Sequence, residues 1–410
     1  MRRRQKLFLL GWLCLTLCAC RAQSQSAIGA VQNQSTETQQ EAEAKQTADA
    51  DLEKDAEEEI VAGAEFADLS WKSGMELAYA CRFAVDSCGD YRLITIVDDG
   101  RYLLIPEGGT VPQKIPEDVT VLQKPLKVGY IAASSAYDLI RQLGALDRIR
   151  FVGTKPEDLY LEEVVKKLES GEILYAGKYS APDFEQLLQE GCDFVVESTM
   201  INHKPEVKEK LEALGLPVLT EHSSYEKHPL GRLEWIRLYG LLLDREEIAE
   251  EYFRQQAKQM EEISAKEKTG LTVAFFYVNS SGGINVRKSG DYVAQMIRMA
   301  GGEYVPSNTG EEESVSSTMN MEAEDFYLTA KDADILIYNG TIWGELQSVD
   351  DLIEKNPLFA DFRAVKENSV YCTDRNFLQQ TTGIGEFIED LSAVLRGKKD
   401  AEYHFLEKLN

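Results

Sequence analysis

Residues 228–270 read HPLGRLEWIRLYGLLLDREEIAEEYFRQQAKQMEEISAKEKTG and show no pattern typical of a β-strand. In the second half of this stretch, apolar side chains recur about once per helical turn, and they are Ile248, Tyr252, Phe253, Ala257, Met260 and Ile263. This periodicity predicts an amphipathic α-helix over residues 245–268. At ~1.5 Å per residue, such a helix is about 35 Å long, roughly the span of a small domain.

On both sides of this helix, short apolar strands alternate with helical segments. The first series runs from KVGYIAAS (127–134) to PVLTEH (217–222), and the second begins with LTVAFFYVN (271–279) and includes DILIYNG (334–340). Such alternation is typical of parallel sheets covered by helices. The sequence therefore predicts an α/β fold, in which two lobes with central parallel sheets are joined by a single long α-helix.

The first lobe begins with a β-rich segment. Two alternating apolar runs, 91–97 and 101–105, flank the sequence DDG at 98–100, which favours a hairpin turn. With this segment included, we predict three folded parts, which are an N-terminal lobe over 66–244, a bridging helix over 245–268 and a C-terminal lobe over 269–410.

The N-terminus is typical of an exported protein. Residues 1–20 read MRRRQKLFLLGWLCLTLCAC, with four cations before an apolar run, as in a secretory signal. Ala19-Cys20 resembles a bacterial lipobox, in which the cysteine is acylated and becomes the new N-terminus; an ordinary signal peptide that contains cysteine is the alternative. We predict a signal over 1–19, followed by lipidated Cys20 and a disordered acidic tether over 20–65. These features predict a lipid-anchored protein at the extracytoplasmic face of the cell membrane.

Composition excludes two classes of protein. The 410 residues carry 70 acidic and 44 basic side chains, a formal net charge of −26, whereas a nucleic-acid binder needs a basic surface. The only long apolar run is at the start, which excludes a membrane protein with several spans. Beyond the signal and anchor, Cys81 and Cys88 are the only cysteines near each other. A disulfide between them is possible, but one bridge adds little to a domain of this size, which favours free thiols.

Three stretches resemble the substrate-binding proteins of ABC importers for iron–siderophore, haem and cobalamin. They are VGYIAASSAYDLIRQLGALDRI (128–149), GKYSAPDFEQLLQEGCDFVV (177–196) and NMEAEDFYLTAKDADILIY (320–338). The resemblance covers about residues 125–410 and depends on the order of the motifs, together with the lipobox and the bridging helix. It implies a ligand cleft between the lobes, an ABC permease and its ATPase as partners, and a monomer. The implied ligand is an Fe(III)-siderophore, haem or a corrinoid, with no intrinsic cofactor.

The resemblance also implies docking residues. In the family, a glutamate on the top of each lobe meets arginines of the permease, which favours orientation and association rate over raw affinity. The matching residues are Glu185 in the first lobe and Glu324 in the second, with Glu322 a close alternative. A first-turn glutamate is also favoured by the helix dipole, so a purely structural role is the other interpretation.

Ligand contacts are expected in the loops that follow the carboxyl ends of strands, where open α/β sheets bind their ligands. The candidates are Ser134, Tyr179, Met200, Arg287, Lys288, Trp343 and Arg375. Arg287 and Lys288 lie in a predicted Gly-rich loop and suit an anionic siderophore or a propionate, unless they are a solvated basic pair. Tyr179 and Trp343 suit stacking on a flat ligand, or ordinary packing.

Direct metal capture and catalysis are not predicted. The four histidines are His203, His222, His228 and His404, too few and too clustered for a metal held from both lobes. No Walker A, dinucleotide or nucleophile-elbow motif is present in the sequence. A glycosidase-like use of Glu185 and Glu324 would need their carboxyls ~5–9.5 Å apart. The other alternative is a surface sensor or adhesin that retains a binding-protein fold.

Overall fold

The computed structural model of this protein describes residues 63–307, 317–398 and 401–410. The described residues belong to one structural unit. The predicted signal, Cys20 and the predicted tether up to residue 62 lie outside the described residues. In the described ranges, no helix is both long enough and apolar enough to cross a bilayer.

Five strands near the start of the described chain form one sheet in chain order, and they are β1 (Lys72–Ser73), β2 (Phe83–Cys88), β3 (Tyr91–Ile96), β4 (Gly100–Ile105) and β5 (Val119–Gln123). Strands β1 to β4 pair antiparallel, whereas β4 and β5 are parallel. The predicted hairpin joins β3 to β4, and Asp98 in its turn adopts a φ of 62°, a left-handed conformation that asparagine and aspartate tolerate in turns. Cys81 and Cys88 are free thiols.

The first lobe is built on a wholly parallel sheet with the strand order β10-β9-β6-β7-β8. The strands are β6 (Gly129–Ile131), β7 (Ile149–Val152), β8 (Leu174–Tyr175), β9 (Phe194–Ser198) and β10 (Val218–Glu221). The helices are α1 (Ser134–Gln142), α2 (Glu162–Ser170), α3 (Phe184–Gln189) and α4 (Pro205–Ala213). The central strands are apolar and buried, as expected for a parallel sheet covered on both faces.

Two consecutive helices follow the first lobe: α5 (Pro229–Leu242) and α6 (Glu246–Ser264). The predicted amphipathic helix is present as α6, which begins one residue after and ends four residues before its expected bounds. Helix α5 is buried along nearly its whole length, with only Arg237 partly exposed. It packs against α1, against α6 and against the first helix of the second lobe, α7 (Tyr292–Met299). The chain therefore crosses between the lobes inside the protein.

The second lobe has a mixed sheet with the strand order β14-β12-β11-β15-β16-β17, and β13 also pairs with β11. Its strands are β11 (Thr272–Val278), β12 (Ile284–Arg287), β13 (Glu303–Val305), β14 (Thr318–Met321), β15 (Ile335–Tyr338), β16 (Val370–Thr373) and β17 (Leu406–Lys408). Strands β13, β11, β15 and β16 are parallel, whereas β12 and β17 run antiparallel to them. The remaining helices are α8 (Ala323–Ala330), α9 (Gly340–Trp343), α10 (Val349–Lys355), α11 (Arg363–Lys366) and α12 (Ile384–Leu395).

One continuous apolar core joins the two lobes. It contains buried side chains from the first sheet, from α5 and α6, and from the second sheet and α12, including Ile131, Leu233, Met260, Phe275 and Phe387. Burying one such side chain contributes about 1.5–3 kcal/mol, so separating the lobes would expose a large apolar area. A buried polar contact adds to it: the Asp138 carboxylate of α1 accepts hydrogen bonds from the backbone N–H and hydroxyl of Thr382, at 2.7 and 2.6 Å.

Residues 78–82, which we call the strap, cross the surface of α5 before β2 begins. Two buried carboxylates hold the strap by its backbone N–H groups: Glu234 accepts from residues 78, 79 and 80, and Glu226 accepts from residues 81 and 82, at 2.8–3.2 Å. Glu226 also accepts from the indole of Trp235, and Glu234 from Arg237. These bonds attach the N-terminal sheet to the helices between the lobes.

Candidate functional site

Segments at the carboxyl ends of the two sheets meet between the lobes. The hydroxyl of Thr381, which follows β16, donates to the carbonyl of Ser135 at the start of α1, at 3.0 Å. The guanidinium of Arg232 on α5 reaches the carbonyl of Leu378 at 3.4 Å. Because open α/β sheets bind ligands outside the carboxyl ends of their strands, these contacts mark the base of the candidate cleft.

Exposed apolar side chains occur at this edge of both sheets. Met200 follows β9 and is 46% exposed, whereas Trp343 ends α9, after β15, and is 53% exposed. Ile342 beside it is also exposed. Tyr179 is partly buried and packs against the outer core of the first lobe. Of the two predicted aromatic contacts, Trp343 therefore offers the more open ring.

Arg287 occupies a different place from the one expected. The sequence suggested a Gly-rich loop, but Arg287 ends strand β12, and its side chain is only 12% exposed. This correction arises because β12 pairs with both β11 and β14, which local sequence patterns do not reveal. The Arg287 guanidinium lies 3.6 Å from the carboxylate of Asp291 and 5.6 Å from the ring centroid of Tyr292. Burial raises the pKa of Asp291, while the charge of Arg287 opposes that shift.

Sequence reasoning missed Arg232, which also lies near the ring of Tyr292. Its guanidinium is 4.8 Å from the centroid of the Tyr292 ring, and the residue is buried. Two arginines from different elements, Arg232 and Arg287, therefore contact one tyrosine at the boundary between the lobes. The sequence feature that could have identified Arg232 is the presence of charged residues within the otherwise apolar run LGRLEWIRLYGLLL.

The other predicted polar contacts lie at the strand ends. Ser134 is the first residue of α1 and is partly buried. Lys288 is also partly buried, and its backbone N–H donates to the carbonyl of Ser317 at 2.9 Å. Arg375 follows β16, where its backbone N–H donates to the Glu345 carboxylate at 2.9 Å and its Nε lies 3.5 Å from the same group. Arg375 is thus held by a neighbour in its own lobe.

Glu197, near the end of β9, is a second residue that sequence reasoning missed. Its side chain is fully buried, and neither carboxyl oxygen has a hydrogen-bond partner among the described residues. Burial raises its pKa from 4.5 to about 8, and the charge of Lys208 offsets this only in part. The carboxyl is therefore mostly protonated at neutral pH.

The proposed docking residues occupy matching positions. Glu185 is the second residue of α3, and Glu324 is the second residue of α8; both are exposed. Helix α3 follows β8, an edge strand of the first sheet, and α8 follows β14, an edge strand of the second. Glu322, the alternative, is the residue before α8, and it is also exposed.

A second pair of residues supports this correspondence between the lobes. After α3, the Asp193 carboxylate accepts hydrogen bonds from the backbone N–H groups of Lys127 and Val128, at 2.9 and 3.0 Å. After α8, the Asp334 carboxylate accepts from the backbone N–H and hydroxyl of Thr272, both at 2.8 Å. In each lobe, an aspartate after the helix holds the chain just before or at the start of a central strand. The same helix–aspartate–strand unit is therefore present twice.

The histidines do not converge. His228 caps α5, because its Nδ1 accepts from the backbone N–H of Leu230 at 3.1 Å, and its ring stacks on Tyr79. His222 is buried beside the β3–β4 turn, and burial lowers its pKa. In the part of the chain that the structure describes, no group of three or more His, Cys, Asp or Glu side chains is arranged to hold a metal ion.

Solved structures of similar shape are binding proteins. A periplasmic haem-binding protein from Pseudomonas aeruginosa superposes with a TM-score of 0.55 at 17% identity, covering 69% of this chain and 98% of that one. A periplasmic binding protein from Veillonella parvula gives a TM-score of 0.55 at 15% identity, covering 78% of this chain and 99% of that one. At such identities, the likeness shows the two-lobed α/β fold alone.

Sequence comparison identifies the family. An uncharacterised lipoprotein of Methanocaldococcus jannaschii is 24% identical over 340 residues, covering 80% of this chain and 78% of the relative. The periplasmic binding protein family model matches residues 131–376, which include strands β7 to β10 of the first sheet, α5, α6 and most of the second lobe. Because the match covers more than half of the chain and the fold agrees with it, this protein belongs to the periplasmic binding protein family.

Proposed function

We propose that this chain is the extracytoplasmic substrate-binding component of an ABC importer. It captures an Fe(III)-siderophore, haem or a corrinoid as a monomer and delivers it to a permease and its ATPase. The observation that carries the proposal is the meeting of both lobes' strand-end segments at Ser135 and Thr381. Ser135 lies inside the region that matches the family, residues 131–376, and Thr381 lies just beyond its end. Such a junction of two carboxyl edges is where a ligand contacts both lobes.

The side chains at this edge suit a metal chelate with a flat or apolar body and a negative group. Met200 and Trp343 supply exposed apolar surface from the two lobes. Ser134, Tyr179 and Arg375 supply polar atoms at the strand ends. Arg287 and Lys288 are the proposed cations of the second lobe, and of these Arg287 is mostly buried and lies 3.6 Å from the Asp291 carboxylate. Charge-assisted hydrogen bonds from such cations are stronger than neutral ones.

A ligand panel tests the proposal. Thermal unfolding is measured with a catecholate and a hydroxamate Fe(III)-siderophore, haem and cobalamin, and with the metal-free siderophores as controls. A true ligand at 100 Kd should stabilise the protein by ~2.7 kcal/mol. Trp343→Ala should weaken binding of that ligand, whereas Leu214→Ala, at an exposed leucine outside the strand ends, should not. Failure of every compound to stabilise the protein would contradict ligand capture.

Docking is tested by separating binding from transport. Glu185→Lys with Glu324→Lys places positive charge where arginines of the permease are expected, and like charges at an interface cost several kcal/mol. Ligand Kd should stay within about threefold of wild type, roughly 0.7 kcal/mol, while uptake in the native host is lost. If uptake persists, Glu185→Lys with Glu322→Lys tests the alternative glutamate. A ligand-binding protein whose deletion leaves uptake intact would instead be a sensor or adhesin.

The lipid anchor gives a further prediction. Cys20→Ser should abolish acylation, because only a thiol accepts the diacylglycerol group. Growth with labelled fatty acid, followed by purification, measures this directly, and Cys18→Ser is the matched control that should still be labelled. Label retained in the Cys20 variant would contradict the anchor.

A further inference from the structure

Helices α3 and α8, which carry the proposed docking glutamates, each expose a leucine. Leu188 on α3 is 45% exposed, and Leu328 on α8 is 70% exposed, the highest value among the exposed large apolar side chains of the described residues. The neighbouring positions behave differently, since Leu187 and Phe326 are buried in the cores of their lobes. Both helices therefore pack correctly and still leave one leucine in solvent.

The leucines share a face with the proposed docking glutamates. Leu188 is three residues after Glu185, and Leu328 is four residues after Glu324. Residues three and four apart are neighbours on a helix surface, so each helix presents a carboxylate and an isobutyl group side by side.

The glutamate–leucine pair differs from the ordinary exposure of a single leucine because it occurs in both lobes. Single exposed leucines are common and need no explanation. Here the same pair of side chains occurs twice, on the helix after an edge strand of each sheet, although the helix sequences FEQLLQ and AEDFYLTA differ. Packing within either lobe does not require it, because each helix already packs on its core through other residues, Leu187 in α3 and Phe326 and Ala330 in α8.

We infer that Leu188 and Leu328 are the apolar half of the docking surface, each entering an apolar recess beside a cation of the permease. This inference rests on the proposed function. The partner it fits is a permease with two equivalent halves, because two equivalent contact pairs on one chain match a two-fold symmetric surface. The carboxylates set orientation and association rate, whereas the leucines contribute affinity that salt does not screen.

Salt dependence distinguishes the two contributions. The mature chain, carrying Cys20→Ser to prevent insertion into lipid, is bound to the permease–ATPase complex of the same host in nanodiscs. Binding is measured by interferometry at low salt and at about 0.5 M salt, where the Debye length is only a few ångströms. The variants are Leu188→Gln with Leu328→Gln, and Glu185→Gln with Glu324→Gln. Leu214→Gln with Ile248→Gln is the control, at exposed apolar residues of other helices.

The leucine variant should raise the Kd for the permease at least tenfold at both salt concentrations, with ligand binding and thermal stability unchanged. The glutamate variant should bind weakly at low salt and lose most of its salt dependence, whereas the control should match wild type. If the glutamate variant weakens docking and the leucine variant does not, the inference is wrong and the proposed function stands. If wild type itself does not bind the permease, the docking function fails and this inference fails with it.

Discussion

At the scale of single residues, the buried carboxyl of Glu197 makes the stability of the fold depend on pH. Its pKa is about 8 in the folded protein and near 4.5 when exposed, so the folded state binds the extra proton between these values. The contribution of this proton to the free energy of unfolding is complete below about pH 4.5 and is lost as the pH rises through 8. Each unit of difference between the folded and unfolded pKa corresponds to about 1.4 kcal/mol.

Glu197→Gln should therefore match wild type near pH 5 and exceed it in stability by a few kcal/mol near pH 9, because the amide never ionises. Urea unfolding at several pH values measures the difference. Glu209→Gln, at an exposed glutamate on α4, is the control for the substitution itself. A Glu197→Gln difference that does not change with pH would contradict the buried, protonated carboxyl.

Arg287 and Lys288 are the cations that we propose as contacts of an anionic ligand. Arg287→Ala with Lys288→Ala removes charge-assisted hydrogen bonds of ~1.5–3 kcal/mol each and should raise the ligand Kd tenfold or more. Calorimetry measures this on protein shown to be folded, since Arg287 is also the neighbour of the buried Asp291. Lys331→Ala with Lys366→Ala, at cations of the same lobe away from the strand ends, is the control. An unchanged Kd would make Arg287 and Lys288 structural residues.

At the scale of elements, the strap depends on two carboxylates. Glu234 accepts three backbone N–H groups, and an amide in its place has one oxygen and presents its own N–H₂ to donors. Glu234→Gln should lower the free energy of unfolding by about 2–4 kcal/mol.

The matched control is Glu250→Gln, because Glu250 pairs with Arg237 at 2.8 Å but is half exposed. Its loss should cost less than about 1 kcal/mol. Urea unfolding compares the two variants, and equal effects would show that the strap bonds contribute nothing beyond a surface ion pair.

The elements differ in how far their sequence predicts them, for physical reasons. Helix α6 was predictable because one face is apolar and the other charged, which leaves a clear period. Helix α5 is mostly apolar and is buried on nearly all sides, so it has no exposed polar face for periodicity to reveal. Strand β12 depends on pairing with β14 across more than thirty residues, so the position of Arg287 could not be read from its neighbours. Arg232 and Glu197 were missed because burial of a charged side chain is a tertiary property.

At the scale of the whole molecule, the lobes should keep a nearly fixed angle. Helix α6 contains no hinge sequence, because it has neither proline nor glycine between Glu246 and Ser264. More importantly, the apolar core runs without interruption from the first sheet through α5 and α6 to the second. Opening the lobes would expose these side chains to water, and one ligand's binding energy has to compete with that cost.

Small-angle scattering tests whether the angle between the lobes is fixed. The variant Thr382→Val tests whether a loss of stability also changes that angle. Ligand addition should change the radius of gyration of wild type by less than about 1 Å, as in pre-organised binding. Thr382→Val removes one hydrogen bond to the buried Asp138 and should cost about 1–3 kcal/mol in unfolding free energy. Its scattering profile should nevertheless match wild type, because the apolar core rather than this bond holds the lobes. A variant that expands would show that the Asp138–Thr382 contact holds the lobes together, and a wild type that contracts markedly with ligand would contradict the fixed angle.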